Sequence, residues 1–174
     1  DDVVIKPDGL TGGKGVMVQG DHFSSRQEAL AICRSILSEH AWVTIEEKME
    51  GEEYSLQCLT DGKTVAATPP VQDHKRRFND DKGPNTGGMG AYCDGRILRP
   101  QDTQRILDTI IQPAVASTGF TGFLYAGLMM TAHGPKVIEF NVRLGDPETQ
   151  PLMHRLEGGF GDALHRAARG NLKD

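Results

Sequence analysis

Residues 137–150, VIEFNVRLGDPETQ, constrain the fold of this chain more than any other stretch. Val137, Ile138, Phe140 and Val142 are strand formers, and a two-residue period puts Glu139, Asn141 and Arg143 on one face. A carboxylate, an amide oxygen and a guanidinium then project from one rigid element. Glu139 and Asn141 supply the hard oxygens that Mg²⁺ prefers, and Mg²⁺ usually completes its shell with water and nucleotide phosphates. Arg143 offers a planar fork for a carboxylate or phosphate. Just beyond, Gly145-Asp146-Pro147-Glu148 forms a turn with further carboxylates, suited to a cationic or hydroxylated substrate. Taken alone, the stretch also describes a strand with an exposed ion pair. The rest of the chain separates the two readings.

A strand at 137–142 needs partners. Residues 123–131 provide one across Ala132-His133-Gly134, and residues 54–60 and 63–68 flank Asp61-Gly62, the pattern of a two-residue hairpin. Short strands are expected at 3–6, 16–18 and 42–45. Ser25-Arg26-Gln27-Glu28 is a capping box, opening a helix to about Ser38 with Ala29, Leu30, Ile32, Cys33, Ile36 and Leu37 as its core stripe. A second long helix covers 102–118, with Pro113 kinking it; Pro147 opens another, and 162–169 is the last. Strands in hairpins and helices in separate blocks read as α+β, a mostly antiparallel sheet with helices on one side.

Length and charge bound the function. A chain of 174 residues makes one domain, or one domain with a small lobe. A net charge of −5 excludes a nucleic-acid binder that works through a broad basic face. Basic residues gather locally instead, at Lys75-Arg76-Arg77, which suits a bound anion. Cys33, Cys58 and Cys93 show no CxxC spacing and read as reduced thiols of a cytoplasmic protein. No apolar run is long enough to span a bilayer, so no membrane partner is expected. The first strand starts with no lead-in and no initiator Met, and the last helix runs into Gly170; both ends read as cuts in a longer polypeptide.

Three loops carry chemistry. Residues 7–15 form a glycine flap that fits neither a Walker A loop, since Gly9 is one residue too near Lys14, nor a dinucleotide turn, since a strand follows it. The flap has Lys6 at its root and Lys14 near its tip. An acidic connector over 46–53 includes Met49, which can lie against a purine ring while one carboxylate meets ribose hydroxyls. Asp73-His74-Lys75-Arg76-Arg77 leads into a loop over 80–92 containing Gly83-Pro84-Asn85-Thr86-Gly87-Gly88-Met89-Gly90, of the kind that holds or covers a ligand.

Together, Lys6-Pro7-Asp8-Gly9 with Gly13-Lys14-Gly15-Val16, Gln72-Asp73-His74-Lys75-Arg76 with residues 83–92, and residues 139–150 resemble the phosphoribosylamine–glycine ligases of the ATP-grasp superfamily. The match runs along nearly the whole chain, and its last two parts are specific to that ligase family. The resemblance implies an ATP-grasp fold with a small lid lobe at 1–48 and a larger core lobe at 49–174. It implies ATP with Mg²⁺ (or Mn²⁺) as cofactors, and glycine and 5-phosphoribosylamine as substrates. It further implies covalently linked flanking domains outside this chain.

Carried over residue by residue, Lys6, Gly13, Lys14 and Gly15 match the flap over the phosphates, Glu46, Glu47 and Met49 the adenine-side hinge, and Glu53 the ribose contact. Glu139 and Asn141 match the metal ligands. Arg143, Asp146 and Lys75 fall at the reacting end, with Asp73, His74, Asn85, Thr86, Gly87, Gly88 and Glu148 toward the substrates. The implied chemistry is acyl phosphate formation followed by amine attack, which rests on positioning and charge neutralisation more than on a protein nucleophile. This chain departs from the family at Leu144, where an aromatic is usual, at Val142, where Cys is common, and in a short segment over 39–42. Two alternatives stand beside a working ligase: a nucleotide-binding fragment without activity, and another ATP-grasp carboxylate–amine ligase.

Overall fold

Backbone pairing in the computed structural model, which describes residues 2–9, 15–80 and 82–173 and only the backbone of Asn85, divides the chain into two compact units, Asp1–Met49 and Glu50–Asp174. Gly13 and Lys14 lie outside the described residues.

In the first unit, β1 (Val3–Pro7) is the middle strand of an antiparallel sheet between β2 (Met17–Val18) and β3 (Val43–Glu47). Helix α1 (Arg26–Glu39) starts at the expected capping box: Ser25 Oγ accepts the Glu28 N–H at 3.2 Å, and the Glu28 carboxylate accepts the Ser25 N–H at 3.0 Å. Donors that the helix itself cannot satisfy are thereby paired. The apolar stripe is less buried than its periodicity suggests, with Leu30 and Leu37 exposed at 45% and 50%. A sheet whose outer strand β2 has 2 residues is too narrow to cover a helix of 14. Strand β3 also runs further than expected, so Glu46 and Glu47 sit on a strand and not in the connector.

The second unit is built on β4 (Glu52–Asp61) and β10 (Thr121–Thr131), paired antiparallel from Asp61↔Thr121 to Glu52↔Met130. With β6 (Val71–Asp73), β9 (Ala91–Cys93) and β11 (Gly134–Asn141) they give the order β11-β10-β4-β6-β9, and β5 (Val65–Ala67) also pairs with β4. Within the segment expected to be loop, β7 (Arg76–Phe78) and β8 (Lys82–Asn85) form a separate ribbon. Pro84 is tolerated there because a strand with a single partner leaves one edge free of ladder bonds.

Tyr54, Leu56 and Cys58 of β4 and Leu124, Ala126 and Leu128 of β10 pack with Ile106, Ile111 and Val115 into the main core. Those last residues come from α2 (Pro100–Ile106), a π-helical turn (Leu107–Ile111) and α3 (Gln112–Thr118). Burial pushes the Cys58 thiol up to about 12, so it is an inert core residue. A π turn ends two residues before Pro113, where the Gln112 N–H bonds Leu107 five residues back, and the helix continues beyond the proline. A widened turn gives room to a proline ring that would otherwise press on the carbonyl four residues earlier.

Helices do not lie on one side only. Helix α4 (Thr149–His154) starts two residues after Pro147, and α5 (Phe160–Ala168) packs on the face opposite the core, where Phe160 stacks on Phe123 at 6.0 Å. Phe123 pairs with Leu59, the buried residue that gives this second face its apolar end. Cys33, Cys58 and Cys93 are free thiols. Among the described residues no helix is long and apolar enough to cross a membrane.

The hairpin closes one residue later than expected, around Gly62-Lys63, since Thr60 pairs with Val65 and the Asp61 N–H reaches the Thr64 carbonyl at 3.3 Å. Asp61 closes it by accepting the N–H groups of Thr64 at 2.6 Å and Lys63 at 3.0 Å, and its other oxygen accepts the Leu172 N–H at 2.9 Å. These bonds, that of Thr64 foremost, hold its carboxyl below the usual range. A depressed folded value adds stability above the unfolded pKa, near 3.9, that is lost as pH falls through the folded one. Asp61→Ala is therefore expected to lower the thermal midpoint at pH 7, with a smaller gap to wild type at pH 3. An equal gap at both values would contradict this.

Candidate functional site

Alternation along β4 gives the sheet two unlike faces. Opposite the core, Gln57 pairs with Tyr125 and Ser55 with Gly127; across β10, Tyr125 pairs with Asn141 and Gly127 with Glu139. A strict two-residue period would keep Val137 and Glu139 on the same side. Instead the β10–β11 register shifts between Gly127 and Leu128, leaving Ile138 as an extra residue. This bulge places Val137 opposite Leu128 against the core and turns Glu139 and Asn141 to the polar face. It fills the core and keeps both oxygen-bearing side chains on one face.

Asn141 Nδ2 donates to Glu139 Oε1 at 3.0 Å, so the two side chains are neighbours. Gly127 lies beneath the pair, where a Cβ would meet Glu139 Cγ at 3.4 Å, an ordinary van der Waals contact. Among the described residues no cluster of three or more His, Cys, Asp or Glu could hold a metal alone. A carboxylate and an amide oxygen fit a hard cation that takes its other ligands from water and phosphate. Arg143 is not on this row. Strand β11 stops at Asn141, and Arg143 in the bend beyond donates from Nη1 to the Leu144 carbonyl at 3.0 Å.

Lys75 stands amid carboxylates on the same face and pairs with Glu53. Burial alone would lower its pKa, but Glu53, Asp73 and Glu139 together outweigh that and raise it, so the ammonium stays charged. Asp73 is pushed up, first by burial and then by Glu148 and Glu53, with Lys75 opposing. The loop that follows is laced back onto this strand end. Thr86 donates from its N–H and Oγ1 to the Lys75 carbonyl at 2.7 and 2.8 Å, and Gly88 N–H reaches Thr86 Oγ1 at 3.1 Å. His74 exchanges backbone bonds with Met89 and Gly90, and its ring stacks on Tyr92 at 5.8 Å.

Gly88, at φ +116, lies so close to the cis Asp146-Pro147 turn that a Cβ would fall 3.1 Å from Pro147 Cγ. The fold thus brings Asp73, Lys75, Thr86, Gly88, Glu139, Asn141 and Glu148 to one end of the polar face. Gly87 is set apart, with nothing within 4 Å of a Cβ built on it. Asp146 is exposed and accepts a bond from Gln150 Nε2 at 2.8 Å.

Glu148 is only 3% exposed, and Tyr125 Oη donates to its Oε1 at 2.8 Å. Burial, then Glu148 itself, raises the Tyr125 pKa, so the phenol keeps its proton and its donor role. Beside them Gln57 Oε1 accepts the Gly145 N–H at 3.0 Å, while Gln57 Nε2 is buried without a partner. Sequence reasoning missed both Gln57 and Tyr125. The signal was there in YSLQCLT, where Ser55 and Gln57 put polar groups at alternate positions of an otherwise apolar strand.

In the first unit, Lys6 Nζ contacts Glu46 Oε2 at 2.6 Å across adjacent strands. Gly15 holds φ +82, Glu47 is exposed and Met49 is half-buried.

Gly145 is fixed by its neighbours, because a Cβ would lie 2.8 Å from both Tyr125 Cε2 and the Glu148 carboxyl carbon. Gly145→Ala is expected to cost about 1–3 kcal/mol by overpacking. Chemical denaturation measures it, and an unchanged midpoint would refute the crowding.

Residues 1–149 match the family model for phosphoribosylglycinamide synthetase, ATP-grasp (A) domain. A phosphoribosylamine–glycine ligase of Xanthomonas axonopodis is 46% identical over 182 residues, covering 98% of this chain and 41% of that protein. The human trifunctional purine biosynthetic protein adenosine-3 is 44% identical over 181 residues, covering 98% of this chain and 18% of its own length. Among solved structures, the Thermotoga maritima phosphoribosylamine–glycine ligase superposes with a TM-score of 0.82 at 34% identity, covering 97% of this chain and 44% of that one. The chain therefore spans about two fifths of the ligases it matches. The fold is an α+β ATP-grasp fold, and the chain belongs to the phosphoribosylglycinamide synthetase ATP-grasp domain family.

Proposed function

We propose that this chain is the ATP-grasp portion of a phosphoribosylamine–glycine ligase, which joins glycine to 5-phosphoribosylamine at the expense of ATP. The observation that carries the proposal is the Glu139–Asn141 oxygen pair, turned by a bulge onto the face that also holds Lys75 and Glu148. In this reading Asp1–Met49 is the lid lobe and Glu50–Asp174 the core lobe. The remaining length of such ligases supplies covalently linked flanking domains.

The roles follow from the chemistry of each group. Lys6, Lys14, Gly13 and Gly15 serve the triphosphate, Glu46, Glu47 and Met49 the adenine, and Glu53 the ribose. Glu139 and Asn141 would hold Mg²⁺ or Mn²⁺, which neutralises phosphate charge when bound. A glycine carboxylate oxygen bonds to the γ-phosphorus as the bond to ADP breaks, giving glycyl phosphate. The amine of 5-phosphoribosylamine then bonds to the acyl carbon, loses a proton, and inorganic phosphate leaves as glycinamide ribonucleotide forms. Lys75 and Arg143 offset the negative charge of that sequence. Asp146 and Glu148 with Asp73 hold the cationic and hydroxyl groups of the substrates, and His74, Asn85, Thr86, Gly87 and Gly88 enclose them. Such a reaction depends on placement and electrostatics. No nucleic acid or membrane takes part, and the reaction belongs to the cytoplasm.

A second reading has the isolated chain binding nucleotide without completing the reaction. The 41% coverage of the matched ligases favours weighing it. ADP release with glycine and 5-phosphoribosylamine, compared between this chain and its full-length parent, separates the two.

The metal assignment is tested by titration calorimetry with Mg-ATP. Glu139→Ala combined with Asn141→Ala is expected to weaken metal-dependent binding at least tenfold, about 1.4 kcal/mol. Equal affinity in the double variant would remove these residues from the metal site.

A further inference from the structure

Gln57 carries a buried carboxamide to which none of the roles above gives a task. We propose that Gln57 is the positioning residue of the 145–148 turn, holding Asp146 and Glu148 where the acid and amine substrates meet them. This rests on the functional reading just given.

Gln57 lies mid-strand in β4 with no exposed surface, directly opposite Tyr125. Its Oε1 accepts the Gly145 N–H at 3.0 Å, a bond between residues 88 apart in sequence. On its other side Gly145 offers its carbonyl to the Thr149 N–H at 3.0 Å. Asp146, Pro147 and Glu148 are strung between those two bonds. Tyr125, the cross-strand partner of Gln57, donates to Glu148 at 2.8 Å, so neighbouring residues of one sheet row hold both ends of the turn.

An apolar residue of similar size would continue the strand equally well, but it would leave the Gly145 N–H buried without an acceptor. Gln57 supplies that acceptor and leaves its own Nε2 unpaired. One buried donor is satisfied and another orphaned, so little net stability is gained. What the arrangement does gain is the direction of the turn.

The test uses the full-length polypeptide that carries this chain. Gln57→Met keeps volume and shape but removes the acceptor, while Gln57→Glu keeps an oxygen for the Gly145 N–H. In Gln57→Met, hydrogen exchange at the Gly145 amide is expected to speed up about tenfold or more. The KM values for the acid and amine substrates should rise by a similar factor, with KM for ATP within about twofold. Gln57→Glu should restore both the amide protection and most of the substrate KM. The proposal is overturned if Gln57→Met leaves acid and amine KM within twofold, or raises the ATP KM equally. It is also overturned if Gln57→Glu fails to restore Gly145 protection, an outcome readable even where Gln57→Met does not fold. Should the wild-type polypeptide not turn over glycine and 5-phosphoribosylamine, the functional reading fails. The Gly145 exchange comparison would still judge the positioning role.

Discussion

The antiparallel pairing of β4 with β10, continuous from Asp61↔Thr121 to Glu52↔Met130, fixes which side of the main sheet each residue of those two strands occupies. Alternate residues go to a core of Leu56, Cys58, Leu124, Ala126 and Leu128, and the rest to a face bearing Ser55, Gln57, Tyr125 and Gly127. Each large core side chain contributes about 1.5–3 kcal/mol by burial. A slip of one residue would exchange the two sets, exposing the leucines and burying the polar row. Register is therefore held by the hydrophobic face, and the polar face inherits its geometry. The bulge at Ile138 extends this to β11, giving Val137 to the core and Glu139 and Asn141 to the opposite side.

That polar face is built from groups that would be costly apart. Lys75 keeps its charge despite burial because Glu53, Asp73 and Glu139 surround it. Glu148, almost wholly buried, is matched by the Tyr125 hydroxyl, and Gly145 leaves just enough room for both. Gln57 Nε2 remains the exception, buried and unpaired. Carboxylates outnumber ammonium groups around Lys75, and such an imbalance suits a cation carried in with substrate, whether a metal or an amine.

Local chemistry made much of this legible in the sequence. Ser25 and Glu28 announced the helix start because a capping box is settled within four residues. Strand period alone makes Glu139 and Asn141 same-face neighbours, and they are hydrogen-bonded to each other. Features decided by distant partners were not legible. The Ile138 bulge exists because β10 needs both Leu128 and Gly127 matched, which β11 cannot announce by itself. Leu30 and Leu37 fit a core stripe, but a narrow sheet leaves them exposed. Residues 82–85 looked like loop because Gly and Pro dominate, yet they pair with β7 at an edge where proline is harmless. Gln57 escaped notice because its partner, Gly145, lies 88 residues away.

The oxygens of Glu139 and Asn141 are proposed as the protein's part of a metal–nucleotide site. Anomalous diffraction from crystals grown with Mn²⁺ and a non-hydrolysable ATP analogue tests it most directly. A manganese peak is expected within about 2.3 Å of a Glu139 carboxylate oxygen and of Asn141 Oδ1, with phosphate oxygens completing its shell. A metal peak bound elsewhere, or nucleotide phosphates resting away from this pair, would contradict it.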